Sequence, residues 1–164
     1  MGCLNKIKPA SKDFLSESLQ NMKIKNLTLF TNDLEAQKYF FGDTLGIEIV
    51  ESTANQFSLN IGWTELTFKK SDTLGKYHYC FLIPSNAFDL ALQWFKERVP
   101  ILKIDEGLTY FFKDWNAKSF YFYDGDGSLA ECIVRYDLKN AVDSEFKVSD
   151  LLCVNEMGLS LIHI

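Results

Sequence analysis

One order of secondary-structure signals occurs twice in this chain, and that repeat limits the possible folds more than any other feature. A strand, an amphipathic helix and three short strands are predicted from Lys23 to Lys69, and the same order begins again near Lys76. A repeat of this length is typical of two similar units stacked into one domain. The sequence therefore predicts an α+β fold of paired βαβββ modules, spanning residues 22–72 and 76–137.

The first module is predicted from its hydrophobic periodicity and from the capping and turn residues that separate its elements. Lys23–Thr31 alternates as a half-buried strand does. Asn32 and Asp33 offer N-cap side chains to the following LEAQKYFFGDTLG, which has one apolar helical face and carries its stop signals at Gly42 and Gly46. Three short strands separated by turn residues complete the module, over Gly46–Glu51, Gln56–Ile61 and Thr64–Lys69.

The second module repeats this order. Tyr77–Ile83 is a strand, and AFDLALQWFKERV is an amphipathic helix that Pro100 closes. Strand-like runs then follow at Ile101–Ile104, at Leu108–Lys113, and in the segments SFYFYD and LAECIVRY. The last two flank an Asp-Gly-Asp-Gly turn, which is typical of a β-hairpin. The glutamate just inside the second of these strands, Glu131, is expected to be half-buried and therefore paired.

Charge and cysteine content narrow the classes of function. Seventeen basic residues against 22 acidic ones give a net charge of −5, with no basic stripe, so we expect neither nucleic acid nor an anionic membrane as a partner. No segment approaches the roughly 20 apolar residues of a membrane span. The four cysteines form no CxxC pair and favour reduced thiols in a cytoplasmic protein. Residues 1–21 are interpreted as a mobile polar leader.

Three stretches resemble the vicinal oxygen chelate superfamily, the glyoxalase, bleomycin-resistance and extradiol dioxygenase group. They are IKNLTLFTNDLEAQKYFFGDTLG, YHYCFLIP and FYFYDGDGSLAE. The last is similar to the family's aromatic strand, Asp-Pro-Asp-Gly-Asn turn and glutamate, with Gly125 in place of Pro and Ser128 in place of Asn. The resemblance implies a curved sheet around a cavity, with the helices outside.

The resemblance also implies four inward-facing ligand positions, which fall on Asn26, Glu65, His78 and Glu131. One imidazole and two carboxylates suit a divalent Fe, Mn, Ni or Zn ion, and Glu131 is then the expected catalytic proton carrier. Asn26 departs from the family, which has His or Gln at that position. Each of the four residues also has a purely structural interpretation, and an amide at Asn26 fits a metal-free ligand contact equally well.

Three functions therefore stay open. The first is a metal-dependent lyase, isomerase or dioxygenase acting on a small molecule with vicinal oxygens. The second is a metal-free small-molecule-binding module of the bleomycin-resistance kind, and the third is a structural half of a two-domain protein. Because modules of this fold commonly pair to complete a cavity, the resemblance implies a homodimer or a missing partner domain.

The tail, residues 138–164, is predicted to be a linker followed by the opening strand of a truncated further module. Leu151–Ile164 carries that strand pattern, with Glu156 at its first ligand position. An unpaired apolar strand is a liability at a sheet edge, so this segment is expected either to cover that edge or to pair with another chain.

Overall fold

The structure, a computed structural model, describes residues 23–72, 75–143 and 145–159. The predicted leader at 1–21 and the last five residues of the predicted tail strand lie outside these ranges. The strands are β1 (Asn26–Thr31), β2 (Ile49–Ser52), β3 (Gln56–Ile61), β4 (Thr64–Lys70), β5 (Tyr77–Leu82), β6 (Tyr110–Phe112), β7 (Ala117–Tyr123), β8 (Leu129–Arg135) and β9 (Cys153–Leu159); the helices are α1 (Leu34–Tyr39) and α2 (Phe88–Lys96).

The predicted α+β fold of two βαβββ modules is confirmed. The first module forms sheet A, with strand order β1-β4-β3-β2, and the second forms sheet B, with the order β6-β7-β8-β5-β9. In each module the first strand pairs in parallel with the last, β1 with β4 and β5 with β8, and the other module strands pair antiparallel. The curved surface predicted as one sheet thus consists of two sheets.

Helix α1 begins where the sequence predicted, because Asp33 Oδ1 accepts a hydrogen bond from the Ala36 N–H at 2.9 Å. It ends earlier than predicted, at Tyr39, and continues as one wider π turn over Phe40–Thr44. Gly46, with φ +68°, then supplies the left-handed conformation that closes the segment.

One predicted strand is wrong. Ile101–Ile104 makes no ladder, and its only β partner is an isolated antiparallel bridge between Ile104 and Gly107. The residues between them form a tight turn in which Asp105 has φ +52°, so the chain reverses before a strand can form. The backbone N–H of Leu102 instead donates to Tyr121 O on β7, which ties this segment to sheet B.

The tail strand covers a sheet edge, one of the two outcomes that the sequence left open. Strand β9 pairs antiparallel with β5, with a register shift between Cys80 and Phe81. It also contacts the β3–β4 turn, where the Trp63 N–H donates to Leu152 O at 3.2 Å. The segment predicted to open a further module therefore completes sheet B in this chain.

A single hydrophobic core joins the two modules. Phe41 and Phe68 of the first module and Phe95 and Phe120 of the second belong to one continuous cluster of buried residues. The ring of Phe40 stacks on that of Phe122 across the junction, with centroids 6.2 Å apart. Because both sheets bury one face in this core, the opposite face of each, called here its outer face, is left to carry function.

The Asp-Gly-Asp-Gly hairpin is the main polar contact between the modules. Asp124 Oδ2 accepts from Gln37 Nε2 of α1 at 2.7 Å and from the Tyr79 hydroxyl at 2.8 Å. Gly125 lies directly against α1, where an added Cβ would be 2.3 Å from Ala36 O. That contact explains why glycine stands where the resembling signature has proline.

Candidate small-molecule site on sheet B

Two of the four predicted ligand residues form a hydrogen-bonded pair on the outer face of sheet B. His78 Nε2 lies 2.9 Å from Glu131 Oε2, and the side chains are 39% and 5% exposed. A carboxylate this deeply buried needs a hydrogen-bonding partner, and the imidazole supplies it. The predicted pairing of Glu131 is thus explained by His78.

The parallel pairing of β5 with β8 sets this geometry. His78 is in register with Leu129, and Cys80 with Glu131, so the imidazole reaches diagonally across one residue pair. Cys80 and Ile133 lie beneath the pair in a small apolar cluster on the same face. This arrangement agrees with the predicted alternation, in which His78 and Glu131 share a face opposite the helix-packed residues.

Tyr121 borders the His78–Glu131 pair on its other side. It is in register with Glu131 across β7 and β8, and its ring centroid is 6.0 Å from that of His78. Burial raises the pKa of the Tyr121 hydroxyl strongly, the nearby Ser119 side chain opposes this rise in part, and the charge of Glu131 adds to it. The phenol therefore stays protonated and can donate a hydrogen bond at neutral pH.

An open groove of about 430 Å³ begins at Tyr121. Its walls are predominantly apolar, with one cationic side chain at the edge. We call it the tyrosine groove, and it is lined by Leu102, Lys103, Ile104, Tyr110, Phe112, Tyr121 and Leu129. Aromatic walls with a few convergent polar groups are typical of small-molecule sites, and the volume lies in their usual range.

The other two predicted ligands lie on sheet A. Asn26 and Glu65 are in register across the parallel pair β1–β4, and both are exposed on the outer face. The structure therefore brings the four residues together as two pairs, one on each sheet. Within residues 23–72, 75–143 and 145–159, no group of three or more His, Cys, Asp or Glu side chains is close enough to hold a metal ion.

Sequence reasoning missed the tyrosine groove. Tyr110 and Phe112 alternate on β6, which was a usable signal for one aromatic face. The groove also needs Leu102 and Ile104, which were assigned to a strand and in fact run along the edge of sheet B. Only the turn at Asp105 brings them there, and its left-handed conformation at a non-glycine residue is not predictable from composition.

Several solved structures share this architecture. A glyoxalase/bleomycin resistance protein/dioxygenase from Alicyclobacillus acidocaldarius aligns with a TM-score of 0.57 and 18% identity, over 70% of this chain and 92% of that one. A lactoylglutathione lyase from Agrobacterium tumefaciens aligns with a TM-score of 0.56 and 18% identity, over 68% of this chain and 92% of that one. A glyoxalase/dioxygenase from Nostoc punctiforme aligns with a TM-score of 0.51 and 19% identity, over 81% of this chain and 99% of that one.

The chain has the vicinal oxygen chelate fold. At these identities the likeness establishes the fold alone, because this architecture supports many chemistries. No protein-family model matches the sequence. No curated protein matches it either. In the part of the chain that the structure describes, no helix is both long enough and apolar enough to cross a membrane.

Proposed function

We propose that this vicinal oxygen chelate-fold protein binds a small, ring-bearing molecule with adjacent oxygen atoms in the tyrosine groove. The observation that carries the proposal is that Tyr121 and Leu129, which line the groove, are in register with Glu131 and His78 on the neighbouring strands. The apolar walls favour a ring by burial. The His78–Glu131 pair and the Tyr121 hydroxyl offer both acceptors and donors to oxygens at one edge of that ring.

The buried carboxylate gives this site its chemical selectivity. Glu131 is an acceptor when ionised, and it is held away from bulk water. A hydroxyl of the ligand that donates to Glu131 would form a charge-assisted hydrogen bond, which is stronger than a neutral one. A ligand lacking that hydroxyl would leave the site without this bond, so the groove is expected to prefer ring diols over the unsubstituted ring.

Catechol is a suitable probe, since it combines one ring with two adjacent hydroxyls. Isothermal titration calorimetry of the whole chain is expected to give saturable binding of catechol and much weaker binding of benzene. Glu131→Gln should reduce catechol affinity about tenfold, the usual weight of a charge-assisted bond. Glu65→Gln, a carboxylate change on sheet A, is the matched control and should leave the affinity unchanged. Equal affinity in the Glu131→Gln variant would contradict the proposal.

A second candidate function is metal-dependent catalysis of the glyoxalase or dioxygenase kind. Two ligands on one zinc ion, with bonds of about 2.0–2.2 Å, lie about 3 Å apart at ordinary coordination angles. The 2.9 Å between His78 Nε2 and Glu131 Oε2 suits such a pair. These two residues alone are an incomplete set, and Asn26 and Glu65 would have to come from another sheet A.

A second copy of this chain could supply that sheet. Its exposed Asn26 and Glu65 would face the His78–Glu131 pair, which gives the predicted homodimer a chemical role. A bound Fe, Mn, Ni or Zn ion would polarise vicinal oxygens of a substrate. Glu131 would then hold or transfer the substrate proton.

Metal content and mass distinguish the two functions. In the metal-enzyme case, elemental analysis of the purified chain should give a stoichiometric divalent metal, and both Glu131→Gln and Glu65→Gln should lose it. Sedimentation should then show a dimer. A monomer that takes up none of the four metals and still binds catechol would reject the metal enzyme and leave the binding function standing.

A further inference from the structure

We propose a second ligand site, separate from the tyrosine groove, for an organic anion that carries an aromatic ring. It is a cleft of about 620 Å³ between the residues that precede β1, the β3–β4 turn, the ends of β5 and β8, and the first part of β9. We call it the tryptophan groove, after the side chains of Trp63 and Trp115 in its lining. No residue of the His78–Glu131 pair lines it, and none of the tyrosine groove does.

The two sites lie at opposite ends of the same strands. Leu82 and Arg135, which line the tryptophan groove, are the last residues of β5 and β8. His78 and Glu131 lie near the first residues of those strands. Since β5 and β8 run parallel, these two residue pairs are separated along the strands by about four residues, or roughly 13 Å, while Glu156 in the lining of the tryptophan groove is in register with Cys80.

The tryptophan groove offers apolar surface to a ring. Its floor includes Leu82 and Cys153, both almost completely buried. Trp63 and Trp115 are 37% and 53% exposed at its sides. Trp115 also stacks on Phe112, with ring centroids 5.3 Å apart, and two tryptophans beside one cleft favour a flat or ring-bearing ligand.

The charge in the groove selects the sign of the ligand. Three cationic residues line it, namely Lys23, Arg135 and Lys139, against the two acids Asp137 and Glu156. This local excess of positive charge stands in a chain whose net charge is −5. An anion is therefore favoured here, and a cation that could otherwise stack on the tryptophans is disfavoured.

The acids in the lining are already engaged. Glu156 forms an ion pair with Arg135, and Asp137 Oδ1 accepts from Asn116 Nδ2 at 2.7 Å. Among the described residues, Lys23 and Lys139 form no ion pair. Both lysines are exposed, so their charges are available to a ligand at the mouth of the cleft.

Cations and aromatic walls are already arranged next to one another. Lys23 Nζ lies 4.6 Å from the centre of the Trp63 ring, and the Arg135 guanidinium carbon lies 5.6 Å from that of Trp115. The charge of Lys23 also acts on Cys153 in the floor of the groove. Burial raises the pKa of the Cys153 thiol to about 11, and the positive charge of Lys23 partly opposes that rise. A ligand ring against either tryptophan would thus place an attached anionic group next to a cation.

Naphthalene-2-sulfonate tests this site, with 2-naphthol as the neutral ligand of matched ring size. In calorimetry on the whole chain, the sulfonate is expected to bind at least tenfold more tightly than 2-naphthol. Arg135→Gln should weaken sulfonate binding about tenfold, through the loss of a charge-assisted contact. A double variant with Lys23→Gln and Lys139→Gln changes two exposed lysines and should weaken sulfonate binding several-fold. This variant tests the site while leaving the Arg135–Glu156 pair intact.

Two matched controls localise the binding. Arg98→Gln removes the guanidinium that stacks at 3.9 Å on Trp94, an arginine–tryptophan pair outside the groove. Lys103→Gln removes the cation of the tyrosine groove. Neither should change sulfonate affinity, and catechol should not compete. The proposal is overturned if no sulfonate binding is detected, if 2-naphthol binds as tightly, if Arg135→Gln and the double lysine variant both retain full affinity, or if Lys103→Gln abolishes binding.

Discussion

The two modules share one strand order, but the outer faces of their sheets differ in chemistry. On sheet A, Asn26 and Glu65 are exposed and lie side by side across a parallel strand pair. On sheet B, the parallel pair in the corresponding place holds Glu131, which is buried and bonded to His78. A glutamate on the last strand of a module is therefore a surface residue in the first module and a buried, hydrogen-bonded residue in the second.

The difference comes from what surrounds each face. Sheet B gains a fifth strand, β9, and the segment from Leu102 to Ile104 along its other edge, so its outer face has walls. Sheet A has four strands and no such additions among the described residues. The walls of sheet B bury the carboxyl group of Glu131 and form a groove, whereas the outer face of sheet A leaves Asn26 and Glu65 exposed and buries the hydroxyl pair of Ser58 and Thr67.

The largest expected effect comes from separating the modules. Gly125→Ala would force a Cβ to within 2.3 Å of Ala36 O on α1, so the hairpin or the helix has to move. Overpacking of this kind costs about 3 kcal/mol of unfolding free energy. Gly107→Ala is the matched control, since its Cβ would come no closer than 3.7 Å to Thr109 O and Thr109 N. Urea unfolding checks both, and equal midpoints for the two variants would refute the prediction.

The second prediction bears on the two glutamates directly. Glu131→Ala removes the buried partner of His78 and leaves unfilled space, which should cost about 2 kcal/mol of unfolding free energy. Glu65→Ala changes an exposed side chain and should stay within about 0.5 kcal/mol of the unmodified protein. Chemical denaturation of both variants at neutral pH measures the contrast. If Glu65→Ala costs as much as Glu131→Ala, sheet A is not an open face in solution.

The sequence predicted the features that depend on local chemistry. The strand alternation that puts His78 and Glu131 on one face, the Asp33 cap and the hairpin were all readable from short stretches. The features it missed depend on long-range contacts. Periodicity cannot show that Ile104 lies beside Tyr121, or that the charge of Arg135 on β8 meets Glu156 on β9 across β5. The separation of Asn26 and Glu65 from the other pair likewise follows from how two sheets pack.

The smallest expected effect concerns Asp124, the carboxylate that links the hairpin of the second module to α1 of the first. Burial raises the pKa of Asp124, and hydrogen bonds from Gln37 and Tyr79 oppose this rise only in part. An acid with a raised pKa in the folded state binds its proton more tightly there than in the unfolded chain. Its contribution to stability is therefore fully present below the unfolded pKa, about 3.9, and is lost as pH rises through the folded pKa.

Asp124→Asn isolates this contribution, because it removes the titration and keeps a side chain of the same shape. Gln37 Oε1 has no hydrogen-bond partner among the described residues, so rotation of that amide can meet the new Asn amide group. The unfolding free energy of the unmodified protein minus that of the variant should fall as pH rises above about 4, and then level off. Asp33→Asn, at an exposed helix cap, is the control for a carboxylate outside the module junction. A difference for Asp124→Asn that rises with pH would mean that the four hydrogen bonds to this carboxylate outweigh its burial, and that the junction favours the ionised form.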